Sequence, residues 1–269
     1  MNKPEKFAWS MMGCLGLSIS LLFMSSGCSQ VSRASGPEGT EYVIFIDFSG
    51  SVGGESQVLI KKDLLDHVVP TLSAGDRIMI APITDKTLTK FHPLVDVTFP
   101  AWPAFNGWSN NRLQYQTQLD AVNREIPELR KRVEREVAGI FSKKRKSART
   151  DIFSSMLLAE KLFHNIPKRK VLIIMSDMIE DYPPYRFDRV SWSDEETGTL
   201  LSELNGKRMI PNLSNVCVYV AGPSARTPDM AGNIGTFWQA YFDEAGADFH
   251  PSRYAHVLLH WPPERACLK

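Results

Sequence analysis

The chain has 269 residues, 43% hydrophobic and 23% charged, an ordinary globular composition that suffices for one domain with a sizeable core and leaves little room for a second. Lys and Arg number 31 against 30 Asp and Glu, for a formal net charge of +1. That balance gives no reason to expect nucleic acid or another acidic polymer as a partner.

At the N-terminus, Lys3 and Lys6 precede an apolar run over residues 7–24 that is interrupted by Gly13 and Gly16. A membrane-spanning helix needs about 20 apolar residues, so residues 1–27 read as a cleaved export signal. The run ends in Ser25-Ser26-Gly27-Cys28, which resembles the lipobox of bacterial lipoproteins, with Ser25 where that motif prefers Leu. The resemblance implies acylation of Cys28, cleavage before it, and a lipid-anchored place in the bacterial cell envelope. Two or three acyl chains, at about 0.8 kcal/mol per buried methylene, hold a soluble domain on a membrane. Ser29 stands where inner-membrane retention typically uses Asp, so the same analogy favours the outer membrane. Residues 28–40 are polar and contain Ser, Gly and Pro, as suits a tether.

The domain is expected over 41–262, with a tail at 263–269. Residues 42–46 form a continuous β-branched and aromatic run, the pattern of a strand buried on both faces. Helical spacing follows at Val58, Leu59, Lys62, Leu65, Val68 and Val69. After the turn Ser73-Ala74-Gly75-Asp76 comes a strand over 77–84, and a third strand lies within 94–99. Apolar residues three or four apart predict an amphipathic helix over 112–141, with Pro127 expected to kink it or to begin a second helix. A helix over 152–163, a strand over 170–176, a helix over 200–204, a strand over 216–220, a helix over 237–244 and a final strand over 255–261 complete the order. Alternating strands and helices of this kind predict an α/β fold, a doubly wound, mostly parallel six-stranded sheet with helices on both faces. Cys217 and Cys267 remain once Cys14 and Cys28 are assigned to the signal and the lipid; their pairing is left open.

In open α/β sheets ligands bind beyond the carboxyl ends of the strands, where the strand order reverses. Two predicted strands end at an aspartate, giving Asp47-Phe48-Ser49-Gly50-Ser51 and Met175-Ser176-Asp177, and Arg149-Thr150-Asp151 stands directly before a helix. Asp47, Ser49 and Ser51 lie two apart, so their side chains share one side of an extended loop. With Thr150 and Asp177 they form an all-oxygen set suited to a hard cation, Mg²⁺ or Mn²⁺.

These residues resemble the von Willebrand factor type A family and its metal-ion-dependent adhesion site. By that resemblance Asp47, Ser49 and Ser51 form the first element of the site, Thr150 the second and Asp177 the third. The resemblance extends to Leu72-Ser73-Ala74-Gly75-Asp76-Arg77-Ile78 and Thr150-Asp151-Ile152 and covers roughly 41–261, fading after Val220. Met178 departs from the glycine often found after the last aspartate. The resemblance implies that hydroxyls bind the ion directly, that at least one aspartate acts through water, and that one coordination position stays open to an acidic group on a protein or peptide ligand. An under-neutralised ion of this kind still attracts an outside anion.

The competing reading is a Mg²⁺-dependent phosphohydrolase with Asp47 as nucleophile. Such enzymes use Asp-x-Asp, and Ser49 occupies the place of the proton-handling carboxylate. The flanking glycines of a serine nucleophile elbow are missing too. His256 and His260 fall four apart in a predicted strand with His250 nearby, a weak zinc pattern. The cluster Lys143-Lys144-Arg145-Lys146 reads as a solvated helix end or as an attraction for an acidic partner. Residues 181–192 follow the strand that supplies Asp177, and Tyr182, Tyr185, Arg186, Phe187, Arg189 and Trp192 are residue types enriched at interface hot spots; they are ligand-contact candidates unless the loop folds its aromatics onto the domain. Trp102, Phe105 and Trp108 follow the third strand. If that strand is antiparallel, as the resemblance implies, they lie at the far end from the metal as packing residues.

Overall fold

The computed structural model describes residues 39–263, except 106, 108–110, 144, 146, 190, 191 and 226. The export signal, Cys28, nearly all of the tether, Trp108, Lys144, Lys146, Cys267 and the side chain of Arg189 therefore lie outside the described residues. Six strands form one sheet in the order β3-β2-β1-β4-β7-β8, with β1 at Thr40–Asp47, β2 at Arg77–Ile83, β3 at Val95–Thr98, β4 at Arg169–Met175, β7 at Val216–Ala221 and β8 at Asp248–Ala255. A separate hairpin pairs β5 (Asp181–Tyr182) with β6 (Tyr185–Arg186). All neighbours in the sheet run parallel except β2 and β3. The doubly wound α/β architecture expected from the alternation is the one observed, and the third strand is antiparallel, as the resemblance implies.

β1 is central and buried along its whole length, which is why its sequence is continuously apolar rather than alternating. Its two sets of side chains enter different layers. Tyr42, Ile44 and Ile46 pack with Leu64, Val68, Val133 and Val137, from the helical segment α1 (Gly54–Lys62), a π-helical stretch (Asp63–Val68) and α2 (Val69–Thr71), and from α3 (Arg112–Ser142). Val43 and Phe45 pack with Phe153, Met156, Phe237 and Trp238, from α4 (Ile152–Phe163) and α6 (Pro228–Glu244); α5 spans Asp194–Gly206. Burying one such aliphatic or aromatic side chain contributes roughly 1.5–3 kcal/mol, so the two layers fix β1 from both faces.

Four expectations need correction. α3 runs unbroken through Pro127; Pro127 is exposed, so water can satisfy the carbonyl that loses its partner and no second helix begins there. α6 starts at Pro228, capped by Thr227, whose hydroxyl accepts the Met230 N–H at 3.2 Å; Gly232 and Gly235 hide its first half from propensity, and Gly235 gives room to the Tyr254 ring, which a Cβ would approach to 3.3 Å. The last strand is β8, and 256–261 is not a strand. Leu258 is buried, its N–H donating to Asp63 Oδ2 at 2.8 Å, and Trp261 Nε1 donates to the His67 carbonyl at 3.0 Å. This apolar stretch covers the helices, whereas β8 sits at a sheet edge and reads as polar. His250 is thus in β8, while His256 and His260 follow it, which removes the shared strand face on which the zinc pattern rested. Finally, Trp102 and Phe105 are 50% and 56% exposed and lie outside the core.

Cys217 is disulfide-bonded, and its partner lies outside the described residues.

Candidate metal site

β1 leads to β2 on one side and neighbours β4 on the other, so the strand order reverses between β1 and β4. Ile46 pairs with Met175 in register, which sets Asp47 and the Ser176-Asp177 pair side by side at the carboxyl end of the sheet. Thr150 arrives from the third direction, at the head of α4, where Asp151 caps the helix by accepting the Ser154 N–H at 2.9 Å. The loop 147–150 is held against the first element: Ser147 N–H donates to the Phe48 carbonyl at 3.1 Å, and Ser147 bridges Ser49 in parallel register. All five residues expected at the site are brought together.

Asp47 is fully buried. Its Oδ1 accepts the Ser49 N–H at 2.7 Å, and its Oδ2 accepts the Ser176 hydroxyl at 2.9 Å and the Thr150 hydroxyl at 3.4 Å. Ser49 and Ser51 place their hydroxyl oxygens 2.9 Å apart. Asp177 is 3% exposed and accepts the Ile179 N–H at 3.0 Å. Burial raises the carboxyl of Asp47. Burial also pushes Asp177 up to about 6, opposed by hydrogen bonding from Ser51 and reinforced by the Asp47 charge. Two carboxylates thus face one small space, and among the described residues their hydrogen-bond partners are hydroxyls and backbone N–H groups. Ionised side by side without a cation they repel one another in a poorly solvated place.

Above them opens a cavity of about 600 Å³ lined by Ser49, Ser51, Arg149, Thr150, Asp177 and Asp188 among others. Arg149 belongs to the loop that follows the basic cluster, and that loop lines the cavity, as expected. No group of three or more His, Cys, Asp and Glu side chains among the described residues is arranged to hold a metal. A hard ion here would depend on hydroxyls, two carboxylates and water, a donor set that Mg²⁺ and Mn²⁺ accept.

Two residues that sequence reasoning missed support this geometry. Ser176 links the two aspartate elements, donating to Asp47 and accepting the Met178 N–H at 3.0 Å; its place beside Asp177 at a strand end was the available signal. Glu180 is fully buried and accepts N–H groups from Ile152 at 2.7 Å, Phe153 at 3.2 Å and Tyr182 at 3.0 Å. It binds the head of α4 to the hairpin and so fixes Thr150; burial raises its carboxyl well above the usual range, with the Asp151 charge adding to the rise. Nothing in the sequence marks this acid as buried.

The ligand-contact candidates divide. Phe187 is 1% exposed, with ring centroids 5.0 Å from Phe237 and 4.9 Å from Trp192, and Tyr185 packs edge-on to Phe153 at 5.3 Å. Tyr185, Phe187 and Trp192 thus fold onto the domain, because α6 and α4 offer them an aromatic layer, and Phe187 has no surface left for a partner. Arg186 is engaged by Asp181 at 2.9 Å and Asp188 at 3.5 Å. Tyr182, 37% exposed, keeps an open ring.

No protein-family model matches the chain, and no curated protein matches it. Among solved structures, it is similar to the pilus adhesin SpaC of Lactobacillus rhamnosus GG in its open conformation, with 11% identity, a TM-score of 0.40, and coverage of 83% of this chain and 28% of that one. It is also similar to the manganese-loaded TRAP protein of Plasmodium vivax, with 11% identity, a TM-score of 0.37, and coverage of 74% and 63%, and to proximal thread matrix protein 1 from the mussel byssus, with 10% identity, a TM-score of 0.38, and coverage of 81% and 43%. The chain spans less than two thirds of the length of each of these proteins.

Proposed function

We propose that the chain is an exported binding module of the von Willebrand A type, anchored by lipid on Cys28, that engages a protein or peptide ligand through a Mg²⁺ or Mn²⁺ ion held at Asp47, Ser49, Ser51, Thr150 and Asp177. The observation that carries the reading is the pair of buried carboxylates at the switch point, ringed by three hydroxyls and contacted by neutral donors. A bound divalent ion supplies the missing positive charge and an electrophilic position for an acidic group. Asp47 already accepts three hydrogen bonds, so it suits an outer role, with the Ser49, Ser51 and Thr150 hydroxyls nearer the ion. The same engagement, with Asp47 fully buried, makes it a poor nucleophile for a phosphohydrolase. Arg149, which lines the cavity, and Tyr182, whose ring is exposed on the neighbouring hairpin, are side chains available to contact the ligand.

Calorimetric titration with MgCl₂ and MnCl₂ tests the reading. We expect saturable binding by the native chain and none by Asp47→Ala or Ser49→Ala variants of unchanged circular dichroism; equal affinity in variant and native chain overturns it.

A further inference from the structure

Three of the large hydrophobic side chains most exposed among the described residues, Trp102 at 50%, Phe105 at 56% and Leu113 at 77%, fall within one short stretch at the pole opposite the cation site. Their position follows from the topology. β3 runs antiparallel to β2, so Thr98 pairs with Arg77, the first residue of β2, and Arg77 pairs with Glu41 near the start of β1. The Gly75 N–H donates to the Pro100 carbonyl at 3.0 Å, and a Cβ on Gly39 would lie 2.1 Å from the Gly75 carbonyl oxygen. Gly39, Gly75 and Pro100 are therefore in backbone contact, and Trp102 stands two residues beyond Pro100.

The loop then folds against the start of α3, where the Phe105 and Tyr115 rings meet edge-on at 5.4 Å. α3 ends toward Thr150 at the cation pole, so its N-terminus points the other way. Its buried residues are Ile126, Val133, Val137 and Ile140, and Arg130 Nε donates to the Leu72 carbonyl, next to the start of β2, at 2.7 Å. Val122 is only partly buried against the core. The ten residue steps from Arg112 to Val122 (122 − 112) thus carry the tip outward by about 15 Å of helix.

The described part of the chain begins at Gly39, at this same pole. From Cys28 to Gly39 are eleven residue steps (39 − 28); a polar chain of that length spans about 17–20 Å root mean square and at most about 40 Å fully extended. A projection of about 15 Å lies within the span that a link of this length leaves between Gly39 and a lipid on Cys28. Trp and Phe beside an aliphatic residue are the side chains that settle at the boundary between headgroups and acyl chains.

Building on the lipid anchor of the proposed function, we infer that the tip formed by Trp102, Phe105 and Leu113 inserts into the bilayer interface and holds the domain upright, with the cation site facing away from the membrane. The projection has a second consequence: a ligand is met on the side remote from the anchoring membrane, so the partner comes from across the compartment rather than from the lipid surface beneath.

The test uses the full acylated chain in vesicles of equal parts phosphatidylcholine and phosphatidylglycerol. Flotation first reports the anchor. A nitroxide on Leu113→Cys is then compared with one on Val58→Cys, an exposed position on α1, by the ratio of collisions with oxygen to collisions with a water-soluble nickel chelate. We expect a severalfold higher ratio at position 113 and its return to the Val58 value when Trp102→Ser and Phe105→Ser are added. Equal ratios in a chain that floats overturn the inference and leave the anchor standing; a chain that does not float overturns the anchor and the inference with it.

Discussion

Replacing Asp177 with Asn should stabilise the ion-free protein while abolishing its response to the ion, and the two effects have opposite signs that one experiment reads. The Asp177 carboxyl is raised from 3.8 to about 6, chiefly by burial, which corresponds to about 3 kcal/mol of unfavourable ionisation once the pH is well above 6. The sign follows from linkage: an acid whose folded value is raised gives stability that is present below about pH 4 and lost as the pH rises through about 6. At pH 8 the native chain carries the whole cost. Asn cannot ionise, and its amide oxygen still accepts the Ile179 N–H, but the contact with Ser51 is weakened by about 1 kcal/mol. The net gain is about 2 kcal/mol, or a Tm rise of about 4–8 °C for a domain of this size, in chelator. With Mg²⁺ at about 100 times its Kd, the native chain gains about 2.7 kcal/mol and the variant nothing. Thermal unfolding followed by circular dichroism at pH 8, in EDTA and in MgCl₂, measures both. A lower Tm of Asp177→Asn in EDTA, or a magnesium-dependent rise equal to the native one, refutes the reasoning.

Other perturbations probe the frame around the site. Phe153 is 1% exposed and touches five aromatic rings, so Phe153→Ala should cost about 3–5 kcal/mol in urea unfolding, with the midpoint lowered. Asp63→Ala leaves the buried Leu258 N–H without its acceptor and should cost about 1–3 kcal/mol, with faster amide exchange over 256–261 and unchanged ion affinity. Met178→Gly removes a fully buried side chain, worth about 2–5 kcal/mol, and relieves a left-handed backbone by about 1–2 kcal/mol; burial outweighs strain, so stability should fall while magnesium affinity by calorimetry stays as it was.

The strands were legible where a buried parallel sheet demands unbroken apolar runs, as at 42–46, and the clustering of the five candidate residues was legible because Asp47 and Asp177 follow strands and Thr150 precedes a helix, all at the carboxyl end of the sheet. Legibility failed where burial and secondary structure part company. The apolar stretch 256–261 is buried by helices rather than paired in a sheet, and the true edge strand carries Pro251 and half-exposed polar residues. It failed again at 181–192, where aromatics suited to an interface are equally suited to a core, and only the position of Phe237 and Trp238 on α6 decides between them. Met178 joins these two lessons. Its φ of 64° is the left-handed conformation for which a glycine is the easier residue, so the departure from the resembled pattern leaves the backbone after Asp177 in the shape a glycine would adopt. What the methionine adds is outside the site: its side chain enters the aromatic layer, and its carbonyl accepts the Trp238 Nε1–H at 2.9 Å. The same layer receives Phe187 and, through Phe153, the head of α4 that bears Thr150. The aromatic layer that withdraws the loop into the domain is therefore also what holds Thr150 and Asp177 in place, which is why a residue with a core-seeking side chain stands beside Asp177.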